Sequence, residues 1–312
     1  MPEVRDGGAS RSRKTVARGG HAERFTHLRP LLFTIVYEIL GSATESDDVL
    51  QDSYLRWAQV DLATVRDTKS YLAQLVTRQA LNALRADARR REEYVGPWLP
   101  EPVLLDERDP SADVVLAESV SMAMLVVLET LGPDERAVFV LREVFGFGYD
   151  EIGAAVGKST ATVRQIAHRA REHVQARRKR FEPVDPQVGA QITAQFLATA
   201  ATGDVEALMS MLAPDAVWIA DGGGKVSAAR RPVVGARKVA AAVAGLGRKG
   251  VPDMRIELAT YNGAPAAVVY SGENVDIVIT AEFADGLIAA LYAIRNPEKL
   301  ATVAIPREIT RR

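Results

Sequence analysis

The sequence predicts a multidomain protein with two all-α helical domains followed by an α+β domain that carries a curved antiparallel sheet. The first observation is that apolar side chains recur at helical spacing through the first 180 residues, with a proline-rich interruption at Gly96–Pro102. The second is that Pro183 and Pro186 end this pattern. The third is a set of β-type runs beyond them, separated by Asn262-Gly263 and Asp285-Gly286, dipeptides typical of tight hairpin turns. A chain of 312 residues has room for two or three domains.

Composition and charge narrow the class of protein. Hydrophobic residues make up 47% of the chain and charged residues 25%, as in ordinary globular proteins. No apolar run approaches the ~20 residues that span a bilayer, and the N-terminus has no apolar signal core, so we expect no membrane partner and a cytoplasmic location. The chain has no cysteine, which excludes disulfides and thiolate metal sites, and we expect no cofactor. The net charge of −1 is an average over unlike segments.

The first predicted unit is a disordered basic arm, residues 1–22, which is rich in Gly, Ser and Arg and poor in large apolar side chains. A helical domain over residues 23–95 follows. Its first helix is expected to stop at Gly41, and its second begins with acidic residues, which the helix dipole favours there. The third helix ends in a cluster of arginines. The three helices are predicted at Phe25–Leu40, Thr44–Trp57 and Lys69–Arg91.

A linker and a second helical domain come next. Residues 96–112 are predicted to be an extended linker, because their prolines forbid a helix interior. Helical pattern resumes near Ser111, continues to Leu131 and is broken by Gly132-Pro133, after which short helices follow. The second domain is predicted to cover residues 113–182.

The third predicted domain covers residues 186–304 and precedes a tail, residues 305–312. Two amphipathic helices open it, at Val188–Ala201 and Val205–Leu212. The expected strands are Ala216–Ala220, Met254–Tyr261, Ala266–Tyr270, Val275–Phe283 and Leu287–Ile294.

Within the second domain, Tyr149–Glu172 predicts a helix-turn-helix. Gly157 is expected to form the turn and Ser159 to cap the second helix, while the small Gly153 and Ala154 allow the helices to approach closely. The buried positions of the two helices are expected at Ile152, Val156, Val163, Ile166 and Ala170.

The solvent side of the second helix predicts a DNA-binding surface. Arg and Gln suit bidentate contacts with base edges in a major groove, and the basic end suits phosphates. Between Arg164 and Arg180 the sequence holds seven Lys or Arg and one acidic residue. His168 is expected to contact DNA and not to catalyse, on the expectation that no carboxylate lies one turn away on its face. The alternative is an ordinary αα-hairpin with a solvated basic face. The side chains on this solvent side are Thr160, Ala161, Arg164, Gln165, His168 and Arg169. Those expected at DNA are Thr160, Arg164, Gln165, His168 and Arg169, with Arg171 on phosphate.

Two segments together resemble the extracytoplasmic-function (ECF) sigma factors of bacterial RNA polymerase. Leu131–Arg142, followed by Phe145–Ile152 and the helix-turn-helix, resembles their region 4, which reads the −35 promoter element. Glu45–Asp52 resembles the acidic region 2.2 motif, which binds the polymerase clamp helices. Tyr71–Arg85 resembles region 2.4, which reads and helps to open the −10 element, with Asn82 where Asp is commoner. The resemblance implies core RNA polymerase and promoter DNA as partners.

The resemblance also implies the residues that make these contacts. Trp57 and Tyr71 are aromatics that can support an unstacked base of the melted strand, and the alternative is that both belong to the core. The polymerase-binding residues implied are Asp47, Asp48, Gln51 and Asp52. The region 2 residues implied at DNA are Trp57, Arg78, Asn82, Arg85 and Arg89.

Three further motifs resemble the sigma J-like ECF subgroup, in which a SnoaL-like, nuclear-transport-factor-2-like α+β cone follows region 4. They are Trp98–Pro102, Asp221–Lys225 and Asn296–Leu300. The resemblance implies that the cone regulates the sigma core in cis through an interface shared by these segments; the alternative for Asp221–Lys225 is a flexible turn. The residues expected at this interface are Trp98, Leu99, Pro100, Glu101, Pro102, Asp221, Gly222, Gly223, Gly224, Lys225, Asn296, Pro297 and Lys299.

Catalysis by the cone is the main competing hypothesis, against our expectation of a transcription factor that is not an enzyme. All four histidines precede the cone, which excludes an Asp–His dyad within it. A Tyr and Asp arrangement stays open, with Asp215, Asp221, Asp276, Tyr261, Tyr270 and Tyr292 as candidates. A small-molecule ligand in the cone also stays open, and it would shift the sigma core only if its affinity differs between two arrangements. The third hypothesis is a helix-turn-helix regulator that binds DNA without polymerase.

Overall fold

The structure, a computed structural model, describes residues 8–105, 114–177, 185–250 and 253–311. The first domain consists of three helices around an apolar core, and α1 ends at Gly41, whose φ of 69° closes the helix as expected. A short 3-10 turn at Leu62–Thr64 lies before the third helix. The helices are α1 (Gly8–Leu40), α2 (Ala43–Trp57) and α3 (Thr68–Glu92).

The structure places a helix within the predicted arm of residues 1–22. Helix α1 begins at Gly8, and residues 1–7 lie outside the described part of the chain. The end of the predicted arm is buried at His21. Its Nε2 lies 2.7 Å from the carbonyl oxygen of Val60, and its own carbonyl accepts a hydrogen bond from Trp57 Nε1 at 3.0 Å. These contacts tie the end of the arm to the core and extend the first domain toward the N-terminus.

The second domain is a cluster of short helices. The helix expected from Ser111 to Leu131 is two helices, because Ser121 leaves the helical conformation and caps the second one by accepting a hydrogen bond from Met124 N at 3.2 Å. A single π-helical turn, Val140–Val144, follows the third helix. The helices are α4 (Val114–Ser119), α5 (Met122–Leu128), α6 (Pro133–Phe139), α7 (Tyr149–Val156) and α8 (Thr160–Arg177).

The third domain, called the cone from here on, is a six-stranded curved sheet with helices against one face. The strands stand in the order β2-β1-β6-β5-β4-β3. They are β1 (Leu212–Asp221), β2 (Val233–Val234), β3 (Met254–Tyr261), β4 (Ala264–Ser271), β5 (Asn274–Ala284) and β6 (Leu287–Ile294). The helices are α9 (Pro186–Thr202), α10 (Val205–Ser210), α11 (Ala236–Lys249) and α12 (Pro297–Leu300).

The sheet differs from the prediction in being mixed. Strands β3 to β6 form the expected antiparallel meander, whose turns at Asn262 and Asp285 have the positive φ values of 54° and 52°. Strand β6 pairs with β1 in parallel, because the connection through α11 starts the meander at the far edge of the sheet. Helix α11 and strand β2 were not predicted. The signal for α11 was present in buried Val239, Ala240 and Ala244, which recur at helical spacing.

The two faces of the cone sheet have different partners. One face packs against α9 and α11, and the core there includes Phe196, Trp218 and Leu291. The other face packs against the linker and α5, where Leu99 and Met122 are buried among residues of β3 to β6. The first and second domains share a further core, so that α3 contacts α6 and α7. Among the described residues, no helix is long and apolar enough to cross a membrane.

Candidate functional site

Asp221, at the end of β1, lies in a buried hydrogen-bond network that joins the cone to the linker. Its side chain is fully buried. Its Oδ1 accepts hydrogen bonds from the hydroxyl of Tyr94 at 2.6 Å and from Gly223 N at 3.0 Å. Its Oδ2 accepts from Leu99 N at 2.8 Å and from Lys299 Nζ at 2.8 Å. Four donors from three separate segments therefore compensate the desolvation of this carboxylate.

Lys299 supplies the positive charge of this network. Its ammonium also donates to the carbonyl of Leu99 and lies 3.7 Å from the ring centroid of Trp98 and 5.1 Å from that of Tyr94. The ion pair between Lys299 and Asp221 is almost inaccessible to solvent. Removing one partner of such a pair leaves a buried, uncompensated charge and costs about 3–5 kcal/mol.

The third motif enters the network through Asn296. Its Nδ2 donates to the Tyr94 hydroxyl at 2.8 Å, and its Oδ1 accepts from Glu298 N and so caps α12, with Pro297 at the first position of that helix. The backbone N–H groups of Arg295 and Asn296 both donate to the carbonyl of Asp221, at 2.7 and 2.9 Å. The start of α12 is thus fixed to the end of β1.

The glycines after Asp221 allow the backbone of this turn to lie close to Asn296 and to the linker. Gly223 has a φ of 59°, and a Cβ there would lie 2.4 Å from Asn296 Nδ2, so no larger residue fits. Lys225, the last residue of the motif, forms an ion pair with Glu298 of α12. The turn at Asp221–Lys225 thus lies against the linker and α12.

The other end of the linker motif contacts the first domain. Glu101 Oε2 accepts hydrogen bonds from the backbone N–H of Thr44 at 2.9 Å and from its hydroxyl at 3.1 Å, and Oε1 accepts from Ser42 Oγ at 2.8 Å. These donors lie at the N-terminus of α2, where the helix dipole favours an anion. The carbonyl of Glu101 accepts from the Tyr37 hydroxyl at 2.7 Å. Pro100 and Pro102 are buried beside it.

Asn262 is an interface residue that the sequence reasoning missed. It stands at the tip of the β3–β4 hairpin and is fully buried. Its Nδ2 donates to the Tyr37 hydroxyl at 2.7 Å and to the carbonyl of Val120 at 2.9 Å, and its Oδ1 accepts from Val103 N at 3.0 Å. One amide thus contacts the first domain, the second domain and the linker. The Asn-Gly dipeptide predicted the turn, but the sequence did not indicate what the turn packs against.

The C-terminal tail is a second contact that was not predicted. Arg307 N donates to the carbonyl of Leu104 at 2.8 Å, and Thr310 N donates to Thr34 Oγ1 of α1 at 3.1 Å. The side chain of Arg307 forms an ion pair with Asp47 of α2 at 2.7 Å. The tail thus lies across the linker and reaches the acidic helix of the first domain.

The predicted polymerase-binding residues divide into two groups in the structure. Asp47 is occupied by Arg29, at 2.8 Å, and by Arg307. Asp48, Gln51 and Asp52 are exposed, and helical spacing places them on one side of α2. Leu55, exposed to 57%, continues the same stripe one turn further.

The helix-turn-helix has the expected local structure. Gly157 ends α7 with a φ of 71°, and Ser159 Oγ accepts a hydrogen bond from Thr162 N at 3.2 Å. A Cβ on Gly153 would lie 2.7 Å from the carbonyl oxygen of Lys158, which explains the need for glycine at this crossing. The expected buried residues are Ile152, Val156, Val163, Ile166 and Ala170, and all are buried.

The solvent face of α8 is open, and one expectation about it is wrong. Arg171 forms a partly exposed ion pair with Glu143 at 2.6 Å, which a phosphate would have to replace. His168 does have a carboxylate one turn away, because its Nε2 lies 3.6 Å from Glu172 Oε1 in an exposed pair. Arg164 lies over the ring of Tyr149 at 5.5 Å. Ala161, Arg164, Gln165, His168 and Arg169 are exposed, and Thr160 is partly buried.

Two of the residues predicted at DNA on α3 contact the second domain, although their side chains stay exposed. Arg78 Nη2 donates to the carbonyl of Ala154 on α7 at 3.2 Å. Arg85 pairs with Asp134 of α6 at 2.6 Å, and the same carboxylate pairs with Lys158 at 2.9 Å. Asn82 is exposed, and the side chain of Arg89 lies outside the described part of the chain. We call this packing of α3 on α6 and α7 the closed arrangement.

The placement of Trp57 on the DNA-binding face is wrong. Its side chain is fully buried, its Nε1 donates to the carbonyl of His21, and its ring packs against that of Tyr71 at 5.6 Å. Tyr71 is 37% exposed. A buried indole with a satisfied N–H cannot stack on a base, so the alternative that Trp57 belongs to the core is correct.

Two buried carboxyl groups lie at contacts of the second domain. Glu38 of α1 accepts a hydrogen bond from Ser119 Oγ at 2.8 Å. Burial raises the pKa of Glu38 to about 8, against the opposing influence of Ser119 and Arg136. Burial likewise raises the pKa of Glu282, on β5, to about 7, although a hydrogen bond from Ala123 N lowers it. Burial thus favours the protonated form of both groups, whereas the hydrogen bonds and the charge that the second domain supplies favour the carboxylate.

The cone contains an apolar cavity of about 330 Å³ between α9, α11 and the sheet. Of the candidate catalytic side chains, Asp276 lines this cavity, and it accepts two hydrogen bonds from Arg295 Nη2 at 2.9 and 3.1 Å. Asp221 belongs to the linker network instead, and Tyr261 donates its hydroxyl to the carbonyl of Val303. Tyr292 is buried. Within the described residues, no cluster of His, Asp or Glu could hold a metal ion.

Comparison with protein families divides the chain as the fold does. The family described as Sigma-70 region 2 matches residues 24–90, and Sigma-70, region 4 matches residues 121–174. The family described as SnoaL-like domain matches residues 193–291, within the cone.

Individual relatives cover nearly the whole chain. The ECF RNA polymerase sigma factor SigJ of Mycobacterium tuberculosis is 35% identical over 286 residues, which cover 88% of this chain and 91% of SigJ. The probable ECF RNA polymerase sigma factor SigI of the same species is 26% identical over 275 residues, which cover 87% of this chain and 92% of SigI. The crystal structure of Mycobacterium tuberculosis SigJ superposes with a TM-score of 0.71 at 31% identity, covering 91% of this chain and 99% of that one.

Proposed function

This chain belongs to the ECF family of RNA polymerase sigma factors, and from that premise we propose a function for each of its domains. The protein binds core RNA polymerase, recognises the −10 and −35 promoter elements and starts transcription. The cone regulates this activity in cis by holding the sigma core in the closed arrangement. Polymerase and promoter DNA are its partners, and the cytoplasm, where bacterial transcription takes place, is its location.

The contacts that Asp221 makes with the linker are the observation that supports the regulatory role. The linker is bound at Leu99 by the cone and at Glu101 by the N-terminus of α2, so the cone limits how far region 2 can move from it. In the closed arrangement Arg78 and Arg85 bind region 4 instead of DNA. Reading two separated promoter elements requires both surfaces to face DNA. The closed arrangement must therefore open for initiation.

Run-off transcription with core polymerase and a promoter selected by the full chain tests this proposal. Asp221→Asn keeps the shape of the side chain but removes the charge opposite Lys299, and we expect it to change promoter output several-fold. The matched control is Glu273→Gln, which changes an exposed acid at another turn of the cone. Equal output from wild type and Asp221→Asn would exclude cis regulation through this network. Absence of promoter-specific initiation by any form would exclude the sigma function.

We propose that Asp48, Gln51 and Asp52 form the polymerase contact, with exposed Leu55 beside them. Asp48→Lys reverses a charge on this face, and we expect it to weaken binding to core polymerase by at least about tenfold, because a like charge then faces a basic partner surface. Glu206→Lys, which makes the same change at an exposed position of α10, serves as the control. Unchanged assembly of Asp48→Lys with core polymerase would remove this assignment.

We further propose that the cone is regulatory and not catalytic. A general base needs a free carboxylate with a tuned pKa, whereas Asp276 is paired with Arg295. The relatives named above are sigma factors, although SnoaL-like domains in general include enzymes. Asp276→Asn is expected to leave promoter-specific initiation within about twofold of wild type under ligand-free conditions.

A further inference from the structure

We propose that the outer edge of strand β3 binds a second copy of this chain, residues 254–258 of the two copies pairing as antiparallel strands. Strand β3 is the last strand of the cone sheet, and no described residue pairs with this part of its outer edge. The inference goes beyond the sigma function and does not depend on it.

The segment is exposed on both faces of the sheet. Met254 and Leu258 are each 48% exposed, and Ile256 is 40% exposed. The side chains of Arg255 and Glu257, which alternate with them and point to the other face, are 51% and 50% exposed. Native edge strands are commonly protected by a proline, a bulge or a covering segment, and β3 contains neither a proline nor a bulge. An open edge of this kind favours the addition of a strand.

The register of β3 against β4 determines the direction of its backbone groups. Opposite residues of an antiparallel pair alternate between hydrogen-bonded and non-hydrogen-bonded positions. Thr260 stands opposite Pro265, which has no N–H, so this pair is not hydrogen-bonded. Because the register is unbroken, Leu258, Ile256 and Met254 occupy the same kind of position. Their N–H and C=O groups therefore point away from β4, toward the outer edge.

The linker already uses the other end of the same edge. Leu104 forms an antiparallel bridge with Tyr261, and Asn262 N donates to the carbonyl of Val103 at 2.9 Å. Asn262 stands two residues beyond Thr260, so its outward N–H follows the same alternation. The outer edge of β3 thus accepts an extended chain, and residues 254–258 are the part of it that the described linker leaves open.

A two-fold axis at Ile256 makes the segment complementary to itself. Around this axis Ile256 meets its own copy, Met254 lies opposite Leu258, and Arg255 lies opposite Glu257. The outward backbone groups then exchange about six hydrogen bonds. The apolar side chains form one row on one face, and two pairs of opposite charge form on the other. An axis at Arg255 or at Glu257 would place like charges opposite each other, so the charges select the axis at Ile256.

The size of the contact sets the expected strength. A single strand edge is much smaller than the ~20–30 residues a side of a standard protein interface. We therefore expect a reversible dimer with a dissociation constant of about 10–100 μM, and a protein that is largely monomeric below about 1 μM.

Sedimentation of the full chain at concentrations from about 1 to 300 μM tests the surface. We expect the weight-average mass to rise from that of one chain toward that of two. Arg255→Glu and Glu257→Arg each place like charges opposite each other twice in the symmetric pair, and each is expected to weaken dimerisation at least about tenfold. Glu206→Arg, at an exposed position of α10, is the matched control and should dimerise as wild type does.

A mixture of the Arg255→Glu and Glu257→Arg chains tests the register itself. In the mixed pair the two acidic side chains of one copy lie opposite the two basic side chains of the other, so dimerisation is expected to recover to at least the strength of wild type. Ile256→Pro removes a central outward N–H without removing a hydrogen bond to β4, and it is expected to weaken dimerisation at least about tenfold.

Three outcomes would overturn the proposal. The first is a mass that remains that of one chain up to about 300 μM. The second is a dimer that both charge variants form as strongly as wild type, because the contact then lies on another surface. The third is a mixture that associates no more strongly than either variant alone, because the two copies then do not pair about Ile256.

Discussion

Single buried polar residues hold the three domains together. Asp221, Glu101 and Asn262 each bind backbone groups of a segment far away in sequence, and each is buried. A buried polar group that loses its partner costs about 1–3 kcal/mol, which exceeds the value of an exposed ion pair. The relative placement of the domains therefore depends on few side chains.

Replacement of Asn262 is expected to loosen all three contacts at once. Asn262→Gly keeps the positive φ of the turn but removes the amide, so Val103 N and the Val120 carbonyl lose a partner. We expect the free energy of unfolding to fall by about 1–3 kcal/mol, measured by denaturant titration of the full chain. Asp285→Gly makes the equivalent change at the exposed Asp-Gly hairpin, and a similar loss there would contradict the special role of Asn262.

Glu38 is expected to make the closed arrangement depend on pH. Burial in the closed state raises its pKa from an ordinary 4.5 to about 8, although Ser119 and Arg136 lower it. The closed state therefore holds a proton that is released if opening exposes this carboxyl to water. The closed state is therefore most favoured below about pH 4.5 and loses this advantage as the pH rises toward 8. Glu282, with a pKa of about 7, acts in the same direction. Both effects predict opening as the pH increases.

Because the chain contains no cysteine, dyes can be attached specifically at two introduced cysteines, Ala86→Cys of α3 and Gln175→Cys of α8, both exposed positions. Energy transfer between the two dyes then reports on opening. Transfer efficiency is expected to fall between pH 5.5 and 8.5. Glu38→Gln keeps a partner for Ser119 without a titrating group and should flatten this dependence, leaving the smaller contribution of Glu282. An unchanged pH profile in Glu38→Gln would show that Glu38 does not control opening.

At the scale of elements, the helix-turn-helix illustrates how local chemistry specifies geometry. The turn at Gly157, the cap at Ser159 and the apolar stripe of α8 were all predictable, because each depends on residues within about one turn of helix. The surroundings of α3 were not, because its arginines are bound by α6 and α7. The exposed arginines of α3 thus have partners in another domain, which no local pattern indicated.

Gly153→Ala is expected to destabilise the helix-turn-helix. The added methyl would lie 2.7 Å from the carbonyl oxygen of Lys158, so α7 and α8 must separate, at a cost of about 1–3 kcal/mol in the free energy of unfolding. Binding to −35 DNA should weaken in parallel, measured by fluorescence anisotropy. Ala154→Ser, at the exposed neighbouring position, is the control. A Gly153→Ala variant as stable as wild type would contradict the close crossing of these helices.

At the scale of the whole molecule, the closed arrangement combines apolar packing with ion pairs. Asp134 pairs with Arg85 of region 2 and with Lys158 of region 4. Burial alone would raise the pKa of Asp134, but the hydrogen bonds from Lys158 and Arg85 outweigh it and lower the pKa below its usual value. The carboxylate is therefore charged throughout the range from pH 5.5 to 8.5, and salt rather than pH controls this contact.

Asp134→Asn is expected to shift the closed arrangement toward the open one by a few-fold, since partly exposed ion pairs are worth about 0.2–1 kcal/mol each. Transfer efficiency between the same two dyes should fall, and its dependence on salt should weaken. Asp150→Asn, which alters an exposed acid on α7, is the control. Equal salt dependence in wild type and Asp134→Asn would show that the Asp134 contacts do not hold the domains together.

The sequence alone determined the order of helices and strands, the helix-turn-helix and the three motifs that meet at Asp221. These features follow from periodicity, capping and turn chemistry, which act between neighbours in the chain, and from resemblance to a family. Weak local signals led to two errors. One long helix was expected from Ser111 to Leu131, where the structure has two, and helix α11 was not predicted.

Only the tertiary structure decided which of those residues are available. Trp57 is core, Arg78, Arg85 and Arg171 bind their own chain, and the tail reaches Asp47. Asn262 and Tyr37 are 225 positions apart, and Thr310 and Thr34 are 276 apart. Such pairs form only when whole domains pack, because burial and the loss of water make a partner necessary, and no local pattern of residues specifies which partner it will be.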